Sequence, residues 1–264
     1  MRWFITGCSS GLGRALAEGL AADGEHIVAT ARRPEVLADL VARYPDTVLA
    51  VPLDVRDAYA CENAVATAIN GLGGIDVLVN NAGYGQFGAV EEVTDEQLAD
   101  QFATNVYGPW RLTRLVLPHW RERGTGRALF VSSVAGTMPF PGLSAYTASK
   151  FALEGMAESL AQEAGPLGVK VSILQCGGFA TPYGKHLTEP GLHARVYDQA
   201  YGGMLDAMRN LEVLPQINQP SVFVDAVRKV VTTAQPALRV PVGLDAPGAL
   251  TAALEARLKE LRDN

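Results

Sequence analysis

Long apolar runs are missing from this 264-residue chain. No stretch approaches the roughly 20 residues that a membrane-spanning helix needs, so no span is expected. Cysteine is scarce: Cys8, Cys61 and Cys176 stand far apart, without a C-x-x-C pair or nearby histidine ligands. That argues against a disulfide framework and a zinc site, and reduced thiols are expected, with no metal. The four histidines, at 26, 119, 186 and 193, form no triad pattern with a serine and read as surface or helix-end residues. An excess of positive charge is also lacking. The formal net charge is -6, and the pairs Arg32-Arg33 and Arg121/Arg123 are too dispersed for a nucleic-acid face. Linkers and low-complexity segments are absent, so residues 1–264 are read as a single domain. The first strand begins almost at Met1; this leaves no room for a leader and points to the cytoplasm.

What is present begins with Thr6-Gly7-Cys8-Ser9-Ser10-Gly11-Leu12-Gly13. An apolar strand precedes this turn, and Arg14–Ala22 follows as a helix closed by Asp23-Gly24. Glycines in such a turn let the backbone approach a phosphate closely, and the helix N-terminus favours its negative charge. His26–Ala31 supplies the second strand of a βαβ unit, the context that a dinucleotide site requires.

Further strands are expected at Thr47–Val51, Val77–Val79, Arg127–Ser132 and Val169–Leu174, each followed by turn residues and a helical stretch. Such β-branched and aliphatic runs suit parallel strands covered on both faces. The fold class is therefore α/β: a Rossmann-like, doubly wound parallel sheet flanked by helices in three layers. Ligands in such folds gather beyond the carboxyl ends of the strands. Those ends carry the glycine turn, Ala31-Arg32-Arg33, Asp54-Val55, Asn80-Asn81-Ala82-Gly83, Ser132-Ser133 and Cys176-Gly177-Gly178. Where NAD-binding folds often place a carboxylate for the ribose hydroxyl, this chain has Arg32 and Arg33. Guanidinium groups there would receive the extra phosphate of NADP(H).

Ser144-Ala145-Tyr146-Thr147-Ala148-Ser149-Lys150 is the most chemical segment. Ser144 is expected to cap a helix that sets Tyr146 and Lys150 at i and i+4 on one face. An ammonium beside a phenol lowers its pKa and makes it a usable acid or base. Ser133, thirteen residues earlier at a strand end, can hold a carbonyl oxygen. Asn105 is an amide in an otherwise apolar helix, where a buried amide demands partners.

From Thr6 to about Thr181 the sequence resembles the short-chain dehydrogenase/reductase family. The glycine turn matches the family's T-G-x-x-x-G-x-G, Asn80–Gly83 its N-N-A-G, and Asn105, Ser133, Tyr146 and Lys150 its catalytic tetrad. The resemblance implies that Tyr146 is the acid in reduction and the base in oxidation, and that Ser133 holds the carbonyl oxygen. Lys150 would tune the phenol and bind the nicotinamide ribose; Asn105 would support a water that links Lys150 to solvent. Asp54 and Val55 resemble adenine contacts. Hydride would pass directly between the nicotinamide and a carbonyl carbon, without a metal. One departure is that the family's P-G-x-x-x-T reads here Cys176-Gly177-Gly178-Phe179-Ala180-Thr181. Gly177, Phe179 and Thr181 keep their expected coenzyme contacts, but the loop loses the rigid φ of proline and should be more mobile. A redox role for Cys176 is the lesser reading of its thiol.

Substrate choice is expected to lie in Tyr84–Phe87, in Met138–Pro141 and in 182–215, where Tyr197, Tyr201, Met204 or Leu205, and Met208 recur at helical spacing. That last segment reads either as a helix packed on the body or as a substrate lid. Together these residues suggest a hydrophobic carbonyl or alcohol substrate. Two other readings are a catalytically silent NADP-binding sensor, which has no need of a tuned tyrosine, and an epimerase or dehydratase, for which the tail is short. Trp110, Leu112, Phe151 and Leu160 place apolar side chains on more than one helix face. Since the family often pairs these helices, a homodimer or homotetramer is expected.

Overall fold

The computed structural model describes residues 1–191 and 194–263. Among them are strands β1 (Arg2–Ile5), β2 (His26–Ala31), β3 (Val48–Pro52), β4 (Val77–Asn80), β5 (Gly126–Ser133), β6 (Val169–Cys176) and β7 (Arg239–Val242). The principal helices are α1 (Gly11–Ala22), α2 (Ala38–Arg43), α3 (Ala58–Leu72), α4 (Asp95–Phe102), α5 (Gly108–Arg123) and α6 (Ser144–Ala164). They continue with α7 (Asp198–Tyr201), α8 (Met204–Arg209), α9 (Pro220–Thr232) and α10 (Ala246–Asp263). The strands form one parallel sheet in the order β3-β2-β1-β4-β5-β6-β7. The order reverses between β1 and β4, which opens a crevice beyond their carboxyl ends.

Side-chain alternation divides the core between the two sheet faces. Trp3 and Ile5 join Leu16 and Leu20 of α1 and Phe223 and Val227 of α9. Phe4, between them in sequence, points the other way, to Leu78, Leu112, Trp120, Phe130 and Leu153. Covering both faces accounts for the nearly continuous apolar strands.

Several elements differ from expectation. β7 has only four residues with Pro241 inside, a combination tolerated at a sheet edge and nearly invisible as a strand pattern. The segment 182–215 does not form one helix. Gly202 and Gly203, at φ 53° and 81°, separate the short helices α7 and α8. Their Tyr201, Met204, Leu205 and Met208, with Tyr197, instead build a small apolar cluster on Phe87, Phe140, Leu143 and Tyr146. Leu112 and Leu160 are buried within the subunit, whereas Trp110 and Phe151 remain exposed together with Tyr107. His26 and His186 are exposed, and half-buried His119 accepts a hydrogen bond from the Ile75 amide. His193 lies outside the described residues. No helix among the described residues is long and apolar enough to cross a membrane.

Candidate active site

A cleft of about 1090 Å³ runs along the carboxyl ends of the strands. At one end, the turn after β1 is locked to the turn after β4. The Thr6 hydroxyl accepts from the amides of Asn81 and Ala82 at 2.9 and 2.8 Å, and Asn81 Nδ2 donates to the Thr6 carbonyl at 2.7 Å. This approach requires glycine: a Cβ on Gly7 would stand 2.9 Å from Ala82 Cα, and one on Gly13 would stand 2.3 Å from Asn81 Nδ2. Gly7, Ser9, Ser10, Gly11 and Leu12 line the cleft, and the first amides of α1 open there without intrahelical partners. Cys8 is turned away instead. Its amide donates to the Thr30 carbonyl and its side chain is buried, so Cys8, like Gly13, shapes the turn but does not line the cleft.

Arg32 and Arg33 line the cleft at the end of β2, exposed, and neither forms an ion pair among the described residues. Asp54 and Val55 also line it. Asp54 is held below the usual carboxylate range, chiefly by the guanidinium of Arg56, which donates to it at 2.8 Å. Asn81, Ala82 and Gly83 complete this wall.

Farther along, Ser133, Tyr146 and Lys150 converge where β5 meets α6. Ser144 does not cap α6; Leu143 holds that position, and Ser144 is the first helical residue. The i, i+4 spacing nevertheless places Lys150 Nζ 5.5 Å from the Tyr146 ring centre, while Nζ donates to the Val131 carbonyl at 2.8 Å. Asn105 lies in a π-helical turn, Ala103–Tyr107, between α4 and α5. Its amide donates to the Tyr84 carbonyl and the Ser149 hydroxyl at 3.1 and 3.0 Å, and its oxygen accepts from the Tyr84 amide. Asn105 thus satisfies its partners beside the cleft without lining it.

The expected lowering of the tyrosine pKa is reversed. Burial pushes the Tyr146 phenol up to about 12, against the opposing influence of the Ser133 and Tyr183 hydroxyls. Burial likewise pushes Lys150 down to about 8. Both groups disfavour charge in an apolar setting, and this outweighs helical proximity.

The loop after β6 is tied down despite its missing proline, contrary to the expected mobility. The Gly178 amide donates to Asp245 Oδ2 at 2.8 Å, and Asn218 Nδ2 donates to the Gly178 carbonyl at 2.6 Å. Asn218 Nδ2 also donates to Asp245 Oδ1 at 2.7 Å. Gly177, Phe179 and Thr181 line the cleft. Burial pushes the Cys176 thiol up to about 12, so the thiolate that redox chemistry needs is disfavoured.

A family profile for short chain dehydrogenases matches residues 2–191. The chain belongs to the short-chain dehydrogenase/reductase family. It is 36% identical to the oxidoreductase BOA17 of Botryotinia fuckeliana, across 92% of this chain and 89% of that one. A short-chain dehydrogenase structure from Streptomyces avermitilis is similar at 41% identity, covering 99% of this chain and 96% of that one, with a TM-score of 0.89. A metagenomic short-chain oxidoreductase solved with NADP is 26% identical, covering 90% and 95%, with a TM-score of 0.71. Members of the short-chain dehydrogenase/reductase family bind nicotinamide coenzymes, and this chain is an oxidoreductase of that family.

Sequence reasoning missed Arg56, Asn218 and Asp245, and it covered Tyr183 only within the segment 182–215, without naming it. Arg56 and Tyr183 lie next to residues already singled out, Val55 and Pro182, and both are types able to touch a ligand. Asn218 and Asp245 reach the site from beyond residue 215, where no local pattern announces them.

Proposed function

We propose that the protein interconverts a carbonyl and an alcohol on a small hydrophobic molecule, using NADP(H), with Tyr146 as general acid and base. The observation that carries this reading is the convergence of Ser133, Tyr146 and Lys150 in one cleft with the glycine turn and two exposed arginines. These residues fit a dinucleotide: Gly7 and Gly13 let the turn after β1 pack against Asn81 and Ala82, where any Cβ would clash, and the first amides of α1 are left open to the cleft. When bound, NADP(H) supplies or accepts a hydride at its nicotinamide ring.

The chain's own residues do the rest. Ser9–Leu12 would take the pyrophosphate, Arg32 and Arg33 the additional phosphate, and Asp54 and Val55 the adenine. Asn81–Gly83, Gly177, Phe179 and Thr181 would bound the nicotinamide half, with Tyr146 and Lys150 at its ribose. Ser133 holds the substrate oxygen. Tyr146, a phenol that is protonated at neutral pH, gives its proton to that oxygen in reduction. An alkoxide is a stronger base than a phenolate, so this transfer runs downhill. Asn105 orders Tyr84 and Ser149 around Lys150 and supports the route by which a proton returns.

Phe140, Leu143, Met208 and Leu211 give the substrate end an apolar wall, with 182–215 acting as a lid over it. Exposed Tyr107, Trp110 and Phe151 on α5, α6 and the turn before α5 favour pairing of two subunits. The testing experiment is a screen of purified protein with NADPH against ketones and aldehydes of increasing apolar size, followed at the nicotinamide absorbance. Turnover rising with apolar size supports the reading, and no turnover of any carbonyl contradicts it.

A further inference from the structure

Three buried side-chain polar atoms among the described residues have no hydrogen-bond partner of full geometry: Asn80 Oδ1, Thr147 Oγ1 and Tyr183 Oη. Tyr183 stands against the reacting phenol. Its ring centre lies 5.9 Å from that of Tyr146, the planes inclined at 57°, and the two hydroxyls are close enough to influence one another. Leaving a buried donor without a full hydrogen bond carries a desolvation cost that phenylalanine would avoid.

The local backbone is shaped around this hydroxyl. A Cβ on Gly85 would stand 2.2 Å from Tyr183 Oη and 3.1 Å from its Cζ, so the hydroxyl occupies the space that glycine leaves. The Thr188 amide donates to the Gly85 carbonyl at 3.0 Å and fastens this loop to the segment that follows Tyr183. On the other side, Gly184 packs so tightly under α8 that a Cβ would stand 2.1 Å from the Met208 carbonyl oxygen. Tyr183 is thereby fixed between two backbone approaches.

We propose that Tyr183 is a positioning residue for proton transfer, its hydroxyl donating a hydrogen bond to the Tyr146 oxygen once that oxygen has lost its proton. This rests on the assignment of Tyr146 as general acid. In reduction, hydride addition turns the carbonyl into an alkoxide; the Tyr146 O–H bond breaks, its electron pair stays on Oη, and a new O–H bond forms on the substrate oxygen. The phenolate left behind is a much stronger acceptor than the phenol, so the loose contact between the two hydroxyls tightens into a full hydrogen bond when charge develops.

Among the other neighbours, the Ser133 hydroxyl also reaches the phenol, which leaves room for a second donor. Lys150 Nζ is committed to the Val131 carbonyl, and the Ser133 hydroxyl oxygen accepts from the Ala135 amide. The groups facing the phenol are Ser133 from β5, Lys150 from α6, Cys176 from β6 and Tyr183 itself. Burial holds Tyr183 well above the usual tyrosine value, so it keeps the proton it must donate. Lys185, on the same turn, is ion-paired with Glu212 at 2.5 Å, and His186 is exposed.

The test compares wild type, Tyr183→Phe, Gly85→Ala and Tyr146→Phe. A hydrogen bond to a charged acceptor is worth about ten- to a hundredfold, so in Tyr183→Phe the rising limb of alcohol oxidation against pH moves up by about one to two pH units. NADP⁺ affinity stays as in wild type, and thermal unfolding is not lowered, because phenylalanine removes a buried donor without a partner of full geometry. Gly85→Ala, which displaces the hydroxyl but keeps the ring, gives a shift in the same direction. Activity is not the sole readout. With tyrosines ¹³C-labelled at Cζ and the Tyr146 signal identified by its loss in Tyr146→Phe, the titration of Tyr146 in the NADP⁺ complex moves up in Tyr183→Phe. A pH profile and titration identical to wild type, with Tyr146→Phe inactive, overturn the role of Tyr183 alone. Retained activity in Tyr146→Phe overturns the general-acid assignment itself.

Discussion

Lys150 Nζ lies 5.5 Å from the centre of the Tyr146 ring, yet its 2.8 Å hydrogen bond goes to the Val131 carbonyl. The ammonium is thus held beside the phenol in a buried setting that pushes its pKa down to about 8 from an ordinary 10.5. The unfolded chain binds more protons between those values. Stability therefore rises with pH across about 8 to 10.5, and the cost of burying the charge is fully present below pH 8. Tyr146 acts oppositely and later: its raised pKa makes stability fall only between about 10 and 12. Lys150→Met should raise the unfolding free energy at pH 7 by about 1 kcal/mol or more while abolishing turnover. The gain should shrink as pH approaches 10. Urea titrations at pH 7 and 10 check this, and a destabilised variant at pH 7 contradicts it.

The glycine turn gives a prediction in which one substitution changes sign with position. Alanine is favoured over glycine inside a helix by about 1 kcal/mol, so Gly155→Ala on α6, where a Cβ meets nothing within 4 Å, should stabilise by about that much. Gly13→Ala on α1 would place its Cβ 2.3 Å from Asn81 Nδ2 and 2.4 Å from the Gly7 oxygen. Overpacking of that kind costs about 1–3 kcal/mol, and NADPH affinity should fall with it. Thermal unfolding and fluorescence titration of both variants separate the two outcomes.

Coenzyme preference turns on Arg32 and Arg33. A charge-assisted hydrogen bond is worth about 1.5–3 kcal/mol, so NADPH should bind at least about tenfold more tightly than NADH. Arg32→Ala should remove most of that difference with little effect on NADH. Because both side chains are exposed, the preference should also narrow as salt rises. Equal dissociation constants for the two coenzymes in wild type refute the assignment.

Much of the architecture was legible because the signals were local and periodic. Apolar runs at 26–31 and 169–174 marked parallel strands, and the glycine turn marked the βαβ unit that begins with β1. Two kinds of feature escaped. β7, with Pro241 in a four-residue strand, has too little pattern to distinguish it from a turn. Tertiary effects escaped too: desolvation reverses the expected direction at Tyr146, and Asn218 and Asp245 restrain the Gly178 loop from a distant part of the chain. Neither burial nor long-range pairing is written in the spacing of nearby residues.

The central claim is the proton carried by Tyr146, and Tyr146→Phe tests it most directly. Phenylalanine keeps the ring and removes the hydroxyl. NADPH affinity should therefore hold while turnover falls by about 10²- to 10⁴-fold or more on any carbonyl that wild type reduces. Near-normal turnover in a variant that still binds NADPH would contradict the account.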